Sequence, residues 1–594
     1  MIPHELDMAE SNDGLAAAAS ESDAPDGQAA SAGWTNQQPY DYSFAESQHE
    51  WEGNSRVYEW DGEMGAVGPE FPELELELFG PNSTNARHGI DFSKITTIEV
   101  FQEGPVRIDP IGLDFKDAGL HPVMQRNIEL SGYKVPTPIQ RFAIPAISQG
   151  YDLISVAQTG SGKTAAYLIP IIGKLMGKAK KWAAPRPNPA TYRPGIDPPV
   201  RAEPLVVILV PTRELCVQIF NETRKFCYRT MLRPCCVYGG GPLSHQIEQL
   251  QKGCDIIVAT PGRLIDFIDR PHILTLRRLK YFVIDEADEM LDADWEDDFK
   301  KLLTGGDQDE GNVKYMLFSA TFPKPARDLA KNYLAENHVR IRVGRAGSSH
   351  ANIKQQVIWC EPFMKRQCLT DLLRSMQPCR TLVFVRSKQV ADELDDFLFN
   401  LGFPCTSLHA DRTQYEREAA MRAFRSGKSP IMIATGVAAR GLDVVQVLHV
   451  INYDLPSYEH GGIEEYTHRI GRTGRIGHRG VATSLYTEKD EPMASVLTRT
   501  LMETGQEIPD FLQAYVPEGE AGQKLKFEAD SDFDEDDVAG AGDAGGGAWG
   551  ASATGNDAAG ADAQGADADA SPWGTSAHVT PQAAAEKDEA TSGW

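Results

Sequence analysis

Three things are scarce in this 594-residue chain: paired cysteines, long apolar runs, and basic residues toward either end. The nine cysteines are scattered between Cys216 and Cys405 with no paired CxxC sets, which argues against a zinc ribbon. An odd number in an enzyme-like chain points to free, mostly buried thiols in a reducing compartment. No apolar run approaches the roughly 20 residues of a membrane span, and the N-terminus is acidic where a secretory signal would be basic. The chain is therefore expected to be soluble, cytoplasmic and without a membrane partner. Residues 1–80 hold 18 Asp/Glu against Arg56 alone, and residues 527–594 hold 15 against Lys587 alone. Subtracting these from the 85 acidic and 58 basic residues leaves 52 and 56, so a net −27 overall becomes +4 over 81–526. The acidity sits at the ends, and a mildly basic middle can still carry a groove for a polyanion.

Composition and periodicity divide the chain. Residues 1–80 and 519–594, rich in Ala, Gly, Ser and acidic side chains, cannot bury enough apolar surface to offset their ordering entropy and are expected to be disordered. Within the first, Phe71–Phe79 (FPELELELF) is the one stretch that could dock, as a short helix or strand. Between the tails, short β-rich runs alternate with helical patterns. Strands are expected at Leu205–Val210, Cys235–Tyr238, Ile256–Ala259, Phe282–Ile284 and Tyr315–Phe318, with helices at Glu214–Phe226 and Leu243–Gln251. A second set follows a linker at Gly344–Ser349: Leu382–Val385, Ile431–Ala434, Leu448–Asn452 and Ala482–Tyr486. Such alternation implies parallel sheets covered by helices on both faces. Two α/β domains result, 81–345 and 346–518, and only the first carries a phosphate-binding loop. A Lys- and Pro-rich stretch from about 174 to 204 interrupts the first and reads as a long exposed loop.

The phosphate-binding loop is VAQTGSGKTA at 156–165, which follows an apolar run and leads into a helical pattern. Its glycines let backbone N–H groups close around phosphate oxygens, Lys163 reaches the β/γ-phosphates, and the Thr164 hydroxyl meets Mg²⁺. The usual opening glycine is replaced by Ala157. Further on, Phe282-Val283-Ile284 ends in Asp285-Glu286-Ala287-Asp288. A carboxylate at such a strand end holds Mg²⁺, and its neighbour orients an attacking water.

IDEAD at 284–288 together with AQTGSGKT at 157–164 resembles the DEAD-box RNA helicases. The resemblance continues in family order through about 98–518: GYKVPTPIQ at 132–140 with Phe115 17 positions before Gly132, PTREL at 211–215, GGG at 239–241, TPGR at 260–263 and SAT at 319–321. The second half adds LVFVRS at 382–387, TQYER at 413–417, ATGVAARGLD at 434–443 and HRIGRTGR at 468–475. ELELFG and the block from NYDLP onward look most like the branch containing Vasa and the translation-linked helicases.

The resemblance implies two tandem RecA-like parallel-sheet domains flanked by disordered acidic tails, and an ATP- and Mg²⁺-dependent enzyme that unwinds short RNA duplexes or remodels RNA–protein complexes as a monomeric core. Phe115, Tyr133 and Gln140 would hold adenine. Ala157, Gln158, Thr159, Gly160, Ser161, Gly162, Lys163 and Thr164 would hold the phosphates, Thr164 and Asp285 the metal, and Asp443 the ribose. Glu286 would polarise water, and Arg472 and Arg475 would reach the γ-phosphate from the second domain. Arg213, Gly240, Thr260, Arg263, Arg386 and Thr435 would touch the RNA backbone, which positions a strand without reading its sequence. Ser319 and Thr321 would link the two sites. Neither His409 nor His468 is assigned a proton-transfer role. An ATP-gated RNA clamp or RNP-granule assembly platform with little unwinding carries the same motifs, and a DNA translocase is the less fitting third reading.

Two positions depart from the family pattern. Gly436 stands where an Asp is frequent, and the run 457–465 (SYEHGGIEE) is longer than usual, which reads as a surface loop. The tails offer two further readings: their acidity competes with RNA for the basic groove, and the pairs Gly33-Trp34, Trp549-Gly550, Trp573-Gly574 and Gly593-Trp594 anchor a protein partner or act as adhesive spacers.

Overall fold

The computed structural model describes Trp34 and residues 56–62, 66–80, 100–103, 105–158, 160–188, 191–193, 195–290, 300–303, 313–322, 324–344, 352–439, 447–458, 462–474 and 479–517. The expected C-terminal tail, most of the N-terminal one, most of the 344–349 linker, and three site residues (Thr159, Asp443 and Arg475) lie outside the described residues.

The first lobe holds β1 (Val100–Glu103), β2 (Asp152–Ala157), β3 (Val206–Leu209), β4 (Pro234–Val237), β5 (Ile256–Ala259), β6 (Tyr281–Asp285), β7 (Lys314–Ser319) and β8 (His338–Val343). Their order across the sheet is β1-β8-β2-β7-β6-β3-β5-β4. All neighbours are parallel except the edge strand β1, which runs antiparallel to β8. The second lobe holds β9 (Ile353–Trp359), β10 (Thr381–Val385), β11 (Cys405–Leu408), β12 (Ile431–Thr435), β13 (His449–Asn452) and β14 (Gly480–Tyr486). These form an all-parallel sheet ordered β11-β12-β10-β13-β14-β9. The nine expected strands are present, shifted by a residue or two at their ends.

The central strands β3, β5, β6 and β10 are almost wholly apolar because both faces of each sheet are covered there. In β3, Val206 and Ile208 enter one apolar cluster while Val207 and Leu209 enter another on the opposite face. The same alternation divides Tyr281 and Val283 from Phe282 and Ile284 in β6. Covalent order then places function. In an open parallel sheet, ligands gather outside the carboxyl ends of the strands. β2 runs into the 157–164 loop, β6 into Asp285-Glu286, β7 into Ser319, β4 into Gly239–Gly241, and β5 into Thr260. No helix among the described residues is long and apolar enough to cross a membrane.

Part of the segment read as a disordered tail is instead built onto the first lobe. Residues Pro72–Phe79 form a helix, started by Pro72 and ended at Gly80. The Glu/Leu alternation looks strand-like, yet Leu74 and Leu78, four apart on one helix face, are buried while Leu76 is exposed. With Tyr58 and Phe79 they pack on Tyr228 and Met231. Acidic side chains seat the segment on the helix Arg213–Cys227 and the turn beyond it. Glu77 lies 2.6 Å from Arg224, Glu70 2.7 Å from Arg229, and Glu59 2.8 Å from Arg233. Arg224 also donates to the Arg56 carbonyl. These are not the arginines expected to touch RNA.

Candidate functional site

The phosphate-loop residues sit between the end of β2 and the helix Lys163–Met176. Gly160 and Gly162 adopt φ +75° and +91°, which a side chain would resist. A Cβ on Gly162 would also run into the Gln140 amide, 2.6 Å away. Lys163 is buried and donates to the Ala157 carbonyl at 2.8 Å, so it already spans the loop. The Ser161 hydroxyl is buried without a partner.

The expected base-holding residues are placed differently from a simple open pocket. Gln140 is fully buried. Its amide donates to the Gly162 carbonyl at 3.1 Å and accepts from the Thr137 N–H at 2.9 Å, which closes the capping box of the helix Pro138–Gln149. Phe115 is buried in the main core, edge-on to Tyr133 at 6.3 Å, and Tyr133 in turn meets Phe226 at 6.0 Å. Gln140 therefore ties the base side to the phosphate loop directly.

Asp285 ends β6, facing the loop. The Tyr167 hydroxyl donates to its carboxylate at 3.0 Å. Burial, reinforced by Glu286 and opposed by Lys163, pushes its pKa up to about 6. An ionised carboxylate in that position is short of positive charge, as befits a cation ligand. Glu286 follows with φ +55°, one of three non-glycine residues at positive φ among those described. Left-handed backbone in a non-glycine residue is costly and recurs at functional positions. One Glu286 carboxylate oxygen is buried without a partner.

Asp288 is a junction that sequence reasoning passed over. Its carboxylate accepts from the Thr321 hydroxyl and N–H, both at 2.9 Å, and its own N–H donates to the Ser319 hydroxyl at 3.1 Å. From the second lobe, His468 of the helix Gly462–Ile470 approaches Asp288 at 3.4 Å and Glu289 at 3.5 Å. Burial alone would lower the imidazole pKa, but hydrogen bonding to Asp288 and the charges of Asp288 and Glu289 outweigh it and raise it to about 9. Burial opposes ionisation of Asp288, yet His468 and the nearby Lys163 charge hold it well below the usual carboxylate range. Ser319 and Thr321, expected to link the nucleotide and RNA sites, both bond Asp288, which His468 meets from the second lobe. Arg472, one turn beyond, is buried and donates to the His468 carbonyl at 3.2 Å.

The residues expected to meet RNA from the first lobe converge around Gly239–Gly241. Gly240 has φ +85°, and a Cβ there would strike Arg213. Arg263 reaches Gln246, which clasps the Tyr238 backbone on both sides. Thr260 occupies the position before the helix Pro261–Ile268, with no capping hydrogen bond from its side chain. Burial together with the positive charges of Arg417 and Arg263 depresses the Arg213 guanidinium. Such a knot of like charge is relieved by an anion. Here too the lobes touch: Arg213 donates to Gln414 at 3.3 Å, and Arg417 lies 2.7 Å from the buried Glu214. Neither Gln414 nor Arg417 was singled out individually from the sequence, although both lie in the TQYER stretch.

On the second lobe, Arg386 and Thr435 line one cleft of about 1250 Å³ with Asp288, Thr321 and His468. Gly436 also lies here, and its departure from the family pattern has a steric reason. A Cβ at Gly436 would strike the Glu465 carboxylate, which is held 2.9 Å from Arg469. Arg469 in turn donates to the Asp454 carbonyl at 2.8 Å. A carboxylate from the following helix thus occupies the space beside Gly436.

Comparison with known proteins adds a second line of support. The model for DEAD/DEAH box helicases matches residues 137–329, and that for the helicase conserved C-terminal domain matches 364–477. The chain is similar to S. cerevisiae Dbp5 bound to RNA and ADP BeF3, at 29% identity over 67% of this chain and 95% of that one, with a TM-score of 0.56. A structure of Dbp5 with Gle1 and IP6 matches at 28% identity over 66% and 92%, TM-score 0.52. A DEAD box protein from Methanococcus jannaschii is 32% identical over 67% of this chain and 99% of that one, TM-score 0.39.

Proposed function

From the premise that this chain belongs to the DEAD-box RNA helicases, whose members are RNA-dependent ATPases, we propose that it spends ATP to pry apart short RNA duplexes or to remodel RNA–protein complexes. We place it in the cytoplasm, in the Vasa and translation-initiation branch, acting on messenger RNA. The observation that carries the mechanism is the Ser319–Asp288–Thr321–His468 junction, which joins the phosphate side of the first sheet to the arginine-bearing helix of the second lobe.

The residues present suit a nucleotide and a divalent cation. The loop offers two positive-φ glycines, a buried lysine and an unpartnered serine hydroxyl. Asp285 and Thr164 would hold Mg²⁺, which supplies charge neutralisation at the phosphates when bound. Glu286 would orient the attacking water through its unpartnered oxygen. Arg472, with Arg475, would stabilise charge on the transferred phosphoryl group. Phe115 and Tyr133 would support adenine, Gln140 would report its presence to Gly162, and Asp443 would meet the ribose. Arg213, Gly240, Thr260, Arg263, Arg386 and Thr435 would hold phosphates and sugars of a single strand. Each ligand would contact both lobes, so their affinities would be coupled reciprocally. The test is ATP hydrolysis by the full chain with and without single-stranded RNA, with Glu286→Gln as control. Stimulation by RNA that Glu286→Gln abolishes is expected, and a rate indifferent to RNA would end the proposal.

The Arg417–Glu214 pair favours a second reading, because it joins the lobes at the RNA side through side chains of the protein itself. In that reading the protein is an ATP-gated clamp that separates few strands. RNA dissociation that is slow compared with unwinding, measured in a non-hydrolysable ATP analogue, would select it.

A further inference from the structure

All nine cysteines are free thiols; those of the first lobe are buried, while Cys368, Cys379 and Cys405 of the second are partly exposed. Cys360 follows β9, and its N–H donates to the Tyr486 carbonyl at 2.8 Å, which continues the pairing of β9 with β14. Pro362 then turns the chain into the helix Lys365–Ser375, which brings Cys368 back beside Cys360. The Cys360 thiol donates to the Cys368 sulfur at 2.9 Å. Cys360 is 2% exposed and shares an apolar cluster with Leu369 and Leu373, whereas Cys368 stands at the rim of that cluster.

The two sulfurs are not equivalent. Cys368 lies in the first turn of its helix, with Lys365 three residues before it on the same face, and the hydrogen bond from Cys360 steadies negative charge on its sulfur. Burial and the adjacent Cys368 push the Cys360 thiol up to about 12, so of the pair it is Cys360 that keeps its proton. Elsewhere in the lobe, Cys379 faces the Thr381 hydroxyl and Cys405 the Asp395 carbonyl, and burial pushes both thiols up.

We propose that Cys360 and Cys368 form a peroxide-responsive modification site, in which hydrogen peroxide converts the two thiols to a disulfide and a dithiol reductant restores them. The Cys368 thiolate attacks one peroxide oxygen, the O–O bond breaks, and the departing hydroxide takes a proton to become water, leaving Cys368 as a sulfenic acid. The Cys360 sulfur then attacks the Cys368 sulfur, the S–O bond breaks, and the hydroxyl leaves with the Cys360 proton as a second water. The thiols give up two electrons and the peroxide takes them. A disulfide bond is about 2.05 Å long, so the sulfurs close by about 0.9 Å from their present separation of 2.9 Å. The bond makes residues 360–368 a ring that contains Lys365. That lysine donates to the Tyr453 carbonyl and to Asp454, both at 2.8 Å, and the other Asp454 oxygen accepts from the Arg386 N–H at 3.1 Å. Oxidation therefore anchors the lysine that, through Asp454, holds the backbone of Arg386.

The experiment treats full-length wild type, Cys360→Ser and Cys368→Ser with hydrogen peroxide, alkylates the remaining thiols and digests with trypsin. Cleavage after Lys365 and Arg366 separates the peptide Gln355–Lys365 from Gln367–Arg374. In wild type the two peptides should appear joined before Cys379 or Cys405 is oxidised, and dithiothreitol should part them. In Cys360→Ser the sulfenic acid has no thiol to meet it, so capture of Cys368 by dimedone should rise about tenfold over wild type. Cys360→Ala repeats this test with an apolar side chain in the cluster. In Cys368→Ser, Cys360 should stay reduced. Wild type that yields only separate peptides overturns the site, and equal dimedone capture in wild type and both Cys360 variants overturns the part given to Cys360. None of these readouts involves nucleotide or RNA, so they stand or fall apart from the helicase reading.

Discussion

Replacing His468 with Gln removes a cation from the contact between the lobes while keeping a hydrogen-bonding side chain of similar reach. The groups facing His468 are Asp288 and Glu289 of the first lobe and Arg472 of its own segment. With the lobes apart, the imidazole would titrate near its ordinary 6.5. With them together it is raised to about 9. At about 1.4 kcal/mol per tenfold, that difference amounts to roughly 3 kcal/mol in favour of the joined state at neutral pH. Relaxation and water entry in a buried ion pair reduce it, so about 1–3 kcal/mol is the working figure. Because the pKa is raised, the contribution is fully present below pH 6.5 and is lost as pH rises through about 9. RNA affinity in a non-hydrolysable ATP analogue reads this directly if, as proposed, RNA selects the joined lobes. Wild type should lose roughly five- to a hundredfold between pH 7 and 9.5, whereas His468→Gln should already bind weakly at pH 7 and change little. Parallel pH profiles for the two proteins would refute the role given to the imidazolium.

Three other outcomes follow from named contacts. Glu214→Ala leaves Arg417 buried and uncompensated across the lobes, a loss of about 3 kcal/mol or more by analogy with broken buried pairs; RNA-stimulated hydrolysis should fall at least tenfold, while the unstimulated rate stays near wild type. Gly436→Asp sets a second carboxylate against Glu465, and pairing it with Glu465→Gln should recover part of the lost RNA-stimulated turnover. Asp285 has a raised pKa, so its ionisation weakens the nucleotide-free fold as pH rises from about 4 through about 6. Asp285→Asn should then raise the melting temperature of the nucleotide-free protein at pH 7 while abolishing hydrolysis, and an unchanged or lower melting temperature would contradict the burial assigned to that carboxylate.

Most of the candidate site was legible because its residues sit where apolar strands stop. Phe282–Ile284 followed by two carboxylates, and Leu153–Ile154 leading into the glycine loop, announce a sheet edge from periodicity and punctuation alone. β8 and β9 escaped notice because they alternate apolar with charged or amide residues (HVRIRV, IKQQVIW) near the sheet margins, where one face is less fully covered. Helix Pro72–Phe79 was ambiguous because alternate leucines fit a strand, and only Pro72 and Gly80 fix its ends. Long-range pairings were beyond reach. Nothing local in TQYER indicates that Arg417 finds Glu214, and nothing in DEAD indicates that Asp288 rather than its neighbours receives His468. Gln140 and Phe115 were expected to hold adenine, but their burial depends on the loop and helices packed over them.

The segment 56–79 also bears on what counts as the first lobe. Its acidic side chains neutralise Arg224, Arg229 and Arg233, while Tyr58 and Phe79 cover Tyr228. A recombinant piece beginning at residue 81, or at the family match near 137, would strip Arg224, Arg229 and Arg233 of their carboxylate partners and uncover the Tyr228 ring. Such a piece would bind polyanions through a surface that the intact protein never offers, and its measured RNA affinity would describe the cut rather than the enzyme.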